Sequence, residues 1–209
     1  MMQNEFSCFK KILCYNVFMD KFYHVSKIPN IKVLQPQVST HGKAYVYATQ
    51  NLEFALLFGS SKSFGDLDGK YGFKNGLPFF YEAYEGAFER RFKDVTCYIY
   101  EVKPDTFETG QTDFRYEVVS EKPVEVISCT EVKDLYSYLK KLIAEEKIIF
   151  KEYSQEEDYV NYMNEHIKDR IKSFNILNNQ NSEVYKFCKL KFPKIMEDLE
   201  KNMEKTDEN

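Results

Sequence analysis

The hydrophobic pattern of this chain changes its period near residue 129, and that change limits the folds available to it. Before this point, short apolar and aromatic runs alternate with turn-forming residues, as is typical of β-strands. After it, apolar residues recur every three or four positions, which indicates amphipathic helices. Because strands and helices are segregated along the chain, the sequence predicts an α+β fold with an antiparallel or mixed sheet core and a C-terminal helical subdomain.

The same pattern divides the chain into segments. We expect an N-terminal extension over residues 1–21, a β-rich domain over 22–128 and a helical subdomain over 129–209. Because Met19 stands just before the first strong strand, translation is expected to start at either Met1 or Met19. If the extension belongs to the fold, its apolar residues suit a short amphipathic helix packed on the domain.

The stretch from residue 22 to residue 58 is the part that we expect to hold the functional site. It is predicted to form two aromatic strands followed by a short apolar helix. Thr49 is suited to cap that helix, because its hydroxyl can accept a free backbone N–H of the first turn. Alternation places polar side chains on one face of each strand: His24 and Ser26 in the first, and Tyr45, Tyr47 and Thr49 in the second.

The segment from 59 to 78 holds five of the eight glycines and several serines and aspartates. This composition predicts a loop of about 20 residues, and loops of that length in a compact domain are commonly functional lids. It lacks the remaining ligands of an EF-hand and the spacing of a P-loop. Residues 77–92 are expected to form either a strand followed by a helix or one irregular helix.

The remaining elements follow from periodicity alone. Strands are predicted over 95–102, 114–119 and 123–128, and three amphipathic helices after residue 131. The third helix is expected to be kinked or split at Pro193.

Charge and hydropathy exclude some classes of partner. The net charge of −4 is spread along the chain, and no basic stripe favours the backbone of duplex nucleic acid. No run reaches the roughly 18 apolar residues of a membrane span, so no membrane association is expected. We therefore predict a cytoplasmic protein.

Cysteine and histidine spacing argues against a metal. The five cysteines are odd in number and form no CxxC pair, and the three histidines lack metal-ligand spacing. No metal site is expected, and the thiols are interpreted as reduced and structural. Aromatic residues make up 16% of the chain, which suits either core packing or a tyrosine-rich pocket for a planar ligand.

The order of these parts resembles the ADP-ribosyltransferase fold in its histidine-tyrosine-glutamate branch, which includes diphtheria-toxin-like enzymes and poly(ADP-ribose) polymerases. The resemblance covers residues 22–128. It rests on His24-Val25-Ser26 in the first strand, on GKAYVYATQNLEFA at 42–55, and on a late glutamate in YEVVSEKPVEV. Alignment on the helix alanine places Val46 where the family has tyrosine, so Tyr45 and Tyr47 both stay candidates.

The resemblance implies a dinucleotide ligand, with NAD as the substrate and ADP-ribose transferred to an unknown protein or nucleic-acid acceptor. Glu117, with Glu121 as second choice, would be the catalytic carboxylate, since cleavage of the nicotinamide–ribose bond develops positive charge on the sugar. His24 and Ser26 would bind the adenine-side ribose, and a tyrosine would stack on nicotinamide.

Two other functions stay open at this point. The protein can be a catalytically inactive module that binds a nucleotide, ADP-ribose or another protein through the same aromatic face. A nuclease that uses histidines and glutamates for acid–base chemistry is a third interpretation.

Overall fold

The computed structural model describes residues 21–38, 42–60, 62, 64–112 and 114–207. Its strands are β1 (Phe22–Ser26), β2 (Val33–Leu34), β3 (Gln37–Val38), β4 (Ala44–Thr49), β5 (Gly69–Lys74), β6 (Leu77–Glu82), β7 (Cys97–Val102), β8 (Glu108–Thr109), β9 (Glu117–Ser120), β10 (Val124–Val132) and β11 (Ile149–Lys151). Its α-helices are α1 (Leu52–Leu56), α2 (Ala87–Phe92), α3 (Leu135–Ala144), α4 (Glu157–Ser173), α5 (Glu183–Lys191) and α6 (Pro193–Asp207). The helix expected within the first 20 residues lies outside the described residues.

The strands form two sheets. The larger has the order β2-β10-β7-β1-β4-β9-β8, with β3 also paired to β4, and its pairs are antiparallel. In the smaller, β6 pairs antiparallel with β5 and parallel with β11. The predicted α+β class with antiparallel and mixed sheets is therefore confirmed.

The segment predicted as a long loop holds a β-hairpin instead. β5 and β6 are joined at Asn75 and Gly76, whose φ angles of 53° and 82° suit the two-residue turn that favours Asn-Gly. Glycine is needed at position 69 for the close pairing of β5 with β6, because a Cβ there would lie 2.5 Å from the carbonyl oxygen of Tyr81. The glycine content was thus misread as a loop signal, while the strand-then-helix interpretation of 77–92 is confirmed.

The predicted cap of the first helix is also corrected. Asn51, not Thr49, is the N-cap of α1, and its Oδ1 accepts the backbone N–H of Phe54 at 2.6 Å. Thr49 is the last residue of β4, two positions too early to cap a helix that begins at Leu52.

Three apolar clusters fill the molecule. The first lies between the two sheets and helices α1 to α3, and its members include Phe54, Leu56, Phe80, Phe92, Ile99 and Leu139. The second covers the other face of the large sheet, with Phe22, Val46, Val102 and Val118. The third joins α4, α5 and α6 to the region of β6 and α2 through residues such as Tyr84, Ala87, Met163, Ile167 and Met196.

The expected division at 128/129 can be located in the structure. That position falls inside β10, and α3 packs on the large sheet through Leu135 and Leu139. The helices that form a separate layer are α4, α5 and α6. The predicted break at Pro193 is confirmed, since α5 ends at Lys191 and Pro193 begins α6.

Candidate functional site

A cleft of about 1300 Å³ lies between the large sheet and helix α4. One wall is built from β1, β4, α1 and β9, and the other from β5 and α4. A volume of this size exceeds that of ordinary small-molecule pockets, which measure roughly 300–1000 Å³. The cleft is therefore large enough for an extended ligand with space beside it.

The cleft opens where two neighbouring strands separate. β1 is paired along its whole length with β7, but with β4 at a single position, Tyr23 opposite Thr49. Beyond that pair, the Nδ1 atom of His24 lies 2.8 Å from the carbonyl oxygen of Tyr47 and bridges the two strands. His24, Tyr47 and Thr49 all line the cleft at this point.

This bond fixes the tautomer of His24. Burial lowers its pKa below the ordinary value of 6.5, against the opposing effect of the Tyr47 carbonyl. The imidazole is therefore neutral at pH 7. Because a carbonyl only accepts, Nδ1–H is the donor, and Nε2 is left as an acceptor in the cleft wall.

The strand register determines which face of the sheet His24 occupies. Tyr23 and Thr49 are opposite each other and share a face, so alternation places His24 on the other face. His24 still lines the cleft together with Tyr47 and Thr49, because the cleft extends into the opening between the strands.

Glu117 lies in the same cleft on the next strand. It is the direct cross-strand partner of Thr49, so Tyr23, Thr49 and Glu117 form a row across β1, β4 and β9. Its side chain is half-buried, and its Oε2 atom is buried. Four of the seven residues proposed from sequence thus line one cleft: His24, Tyr47, Thr49 and Glu117.

The other three lie outside the cleft lining. The Tyr45 ring is buried and packs edge-on against that of Tyr47, with centroids 5.8 Å apart. The Ser26 hydroxyl accepts the backbone N–H of Ile28 in the turn after β1. Glu121 is exposed and pairs with Lys43 at 2.5 Å, which makes it a surface residue.

The opposite wall of the cleft was missed by sequence reasoning. Residues of α4 spaced three or four apart face it, among them Tyr162, Glu165, His166, Asp169 and Arg170. The polar residues at the same spacing were the available signal, but nothing in the sequence indicated that α4 lies against β1 and β4.

Asp66 connects this wall to the turn before β5. Its carboxylate accepts the hydroxyl of Tyr71 and lies 3.4 Å from the Nη1 atom of Arg170. Its backbone carbonyl accepts Nε2–H of His166 at 3.1 Å. Burial is the main cause that lowers the pKa of His166 and raises that of Tyr71, whose hydroxyl is therefore protonated.

Comparisons of the chain with protein-family models, with curated proteins and with solved structures found no match. In the described ranges, no helix has the length and apolar character needed to cross a membrane. The same residues contain no group of three or more acidic, histidine or cysteine side chains placed to hold a metal ion. Of the cysteines described, Cys97, Cys129 and Cys188 are free, and Cys129 is exposed.

Proposed function

We propose that this protein is an NAD-dependent transferase of the ADP-ribosyltransferase type, acting on a protein or nucleic-acid acceptor. The observation that supports this is the convergence of His24, Tyr47 and Glu117 in one cleft, although they lie on three strands far apart in sequence. His24, one of the tyrosines Tyr45 and Tyr47, and Glu117 with Glu121 as second choice were predicted from sequence for separate chemical needs. A shared cleft is the arrangement that those needs require.

Glu117 would support the reacting sugar. As the bond between nicotinamide and ribose C1 breaks, its electron pair leaves with nicotinamide, and positive charge develops on the ribose. A carboxylate in a partly buried wall stabilises that charge more than one in bulk water, because the screening is weaker. The acceptor nucleophile then forms a bond to C1 and releases its proton.

His24 and Tyr47 would position the dinucleotide. The neutral imidazole of His24 presents Nε2 as an acceptor for a ribose hydroxyl. The ring of Tyr47 offers a surface for the nicotinamide ring, and its orientation is fixed by the edge-on contact with Tyr45. In this proposal Tyr45 supports Tyr47 and makes no contact with the ligand.

The experiment measures release of nicotinamide and incorporation of labelled ADP-ribose into lysate proteins and nucleic acids. We expect Glu117→Gln to lower both by about 100-fold or more, as for loss of one transition-state-stabilising group. Glu121→Gln decides between the two glutamates and is expected to keep wild-type rates. Glu125→Gln, on the exposed side of β10, is the matched control.

Two results would contradict the proposal. If Glu117→Gln turned over NAD at the wild-type rate, the carboxylate would have no catalytic role. If the wild-type chain bound ADP-ribose in calorimetry but released no nicotinamide, the protein would be a binding module instead.

A further inference from the structure

Positive charge is confined to one wall of the cleft. Among the described residues that line it, the permanent cations are Lys70 on β5 and Arg170 on α4. The opposite wall, with His24, Tyr47 and Glu117, contributes no permanent cation from the described residues. The permanent cations that could pair with an anionic group of a ligand therefore both lie at β5 and α4.

Arg170 has hydrogen-bonding capacity left for a ligand. Its Nη1 atom lies 3.4 Å from Asp66, longer than the roughly 2.7–2.9 Å of a strong charged hydrogen bond. Its Nε atom is buried and finds no hydrogen-bond acceptor among the described residues. The guanidinium as a whole is partly exposed in the cleft lining, so its other N–H groups can donate to a ligand oxygen.

Lys70 is held at the same wall by an aromatic contact. Its Nζ lies 4.3 Å from the centroid of the Tyr162 ring, within the range of a cation–π interaction. Tyr162 and Arg170 are eight residues apart on α4, with His166 between them, so the three lie along one face of the helix. The bond from His166 to the Asp66 carbonyl fixes this face against the turn before β5.

We infer that Lys70 and Arg170 form a subsite for the diphosphate group of a nucleotide. The inference rests on the proposed function for its orientation: the diphosphate lies against α4, and the nicotinamide ribose lies near Glu117. Two cations suit a diphosphate because they bring one positive charge to each phosphate group.

The charge of the whole lining limits the size of the ligand. The described lining residues include four carboxylates, Asp66, Glu117, Glu165 and Asp169, against two cations. A diphosphate can pair with both cations, whereas the further phosphates of a long polyanion would find only carboxylates among the charged lining residues. The subsite therefore takes a compact nucleotide and not a nucleic-acid strand.

The test compares ADP with adenosine by calorimetry on the full chain. Wild-type protein should bind ADP more tightly than adenosine. Lys70→Gln and Arg170→Gln should each weaken the binding of ADP by about 10-fold, since each removes a charged hydrogen bond to phosphate. Neither should change the affinity for adenosine. Lys172→Gln, an exposed change on the same helix, is the control and should alter neither.

A variant that is expected to strengthen ADP binding provides a further test. Asp66→Asn removes the negative charge beside Arg170 and keeps an oxygen that can accept the Tyr71 hydroxyl. ADP should then bind about 3-fold to 10-fold more tightly, since a like charge next to the phosphate is removed. Equal wild-type affinity for ADP and adenosine, unchanged ADP binding in both cation variants, or displacement of ADP by a single-stranded oligonucleotide would overturn the inference.

The outcome separates this inference from the proposed reaction. If no nicotinamide is released but ADP binding still depends on Lys70 and Arg170, the subsite stands and the transferase proposal fails. If NAD is consumed with the same KM in wild type and both variants, the transferase stands and the subsite is wrong.

Discussion

At the residue scale, the cleft is bordered by two histidines that the fold keeps neutral. His24 donates from Nδ1 to the Tyr47 carbonyl, and His166 donates from Nε2 to that of Asp66. Burial lowers the pKa of both below the ordinary value of 6.5. Each histidine connects two chain segments through this donated bond, and burial disfavours the charged form of its ring.

Acid should weaken the folded state through these residues. Below pH 6.5 the unfolded chain binds protons at both histidines while the native chain does not, so the free energy of unfolding falls as pH falls. This loss of stability stops growing once the pH is below the pKa values of the two histidines in the native chain. Each tenfold difference in proton affinity between the native and the unfolded chain changes the free energy of unfolding by about 1.4 kcal/mol. Urea unfolding at about pH 7.5 and about pH 5.5 measures this change.

Matched variants identify the source of that pH dependence. His24→Asn retains a donor near the position of Nδ1, and His166→Gln retains one near Nε2. Each variant should reduce the difference between the free energies of unfolding measured at the two pH values. An equal pH dependence in wild type and in both variants would refute the assignment.

Arg91 is the second residue on which stability should depend. Its side chain is 2% exposed, its Nη2 donates to the Leu57 carbonyl at 2.8 Å, and its guanidinium packs 5.3 Å from the Tyr71 ring centroid. Arg91→Met should lower the free energy of unfolding by about 3 kcal/mol, because a buried carbonyl loses a charged donor. Arg115→Met, on the surface, should change it by less than about 0.5 kcal/mol, and urea unfolding compares the two.

At the element scale, the β5–β6 hairpin positions one wall of the cleft. β5 carries Lys70 and Tyr71, and the turn before it carries Asp66. The hairpin forms because Asn75-Gly76 supplies the turn and because Gly69 lets the two strands approach. Displacement of this hairpin should therefore change both stability and ligand affinity.

Two glycines of β5 provide a paired test. A methyl group at Gly69 meets the backbone oxygen of Tyr81 at 2.5 Å, so Gly69→Ala should cost about 1–3 kcal/mol. At Gly72 the nearest atom is on the partly exposed Phe79 ring at 3.1 Å, which can move, so Gly72→Ala should cost less than about 1 kcal/mol. Thermal unfolding compares them, and equal losses would show that the backbone contact is not the cause.

At the scale of the whole molecule, the C-terminal helices share a core with the strand-rich part. Tyr84 and Ala87 pack in one cluster with Met163, Ile167 and Met196. The hydroxyl of Tyr159 also donates to the backbone carbonyl of Glu82 at 2.8 Å. The helical layer thus depends on residues that precede it by about 80 positions.

This dependence predicts that residues 129–209 do not fold alone. Without the β6 and α2 region, the apolar face of α4 has no partner on one side, and its burial cannot offset the entropy of ordering the helices. The isolated segment should show no cooperative thermal transition by circular dichroism, while residues 21–209 should show one. A cooperative transition in the short segment would establish it as an independent domain.

The sequence determined the local structure well where a single physical signal decided it. Alternation of apolar and polar residues predicted β1 and β4, and the helical period predicted α3 to α6. Pro193 predicted the break between α5 and α6. The hairpin at 69–82 was missed because glycine supports both loops and close strand pairing, and only the partner strand distinguishes the two. The prediction that Thr49 caps α1 was wrong because β4 ends only three residues before α1 begins. A hydrophobic pattern does not locate element boundaries to within so few residues.

The sequence by itself determined the candidates for the proposed nucleotide site: His24, a tyrosine near residue 46 and a late glutamate. Only the tertiary structure distinguished Tyr47 from Tyr45 and Glu117 from Glu121 by position, because the direction of a side chain depends on strand register and on where the sheet opens. The α4 wall with Arg170 was also decided by tertiary packing. Periodicity shows that a helix has an apolar face, but the surface that its polar face meets is fixed by contacts between segments remote along the chain.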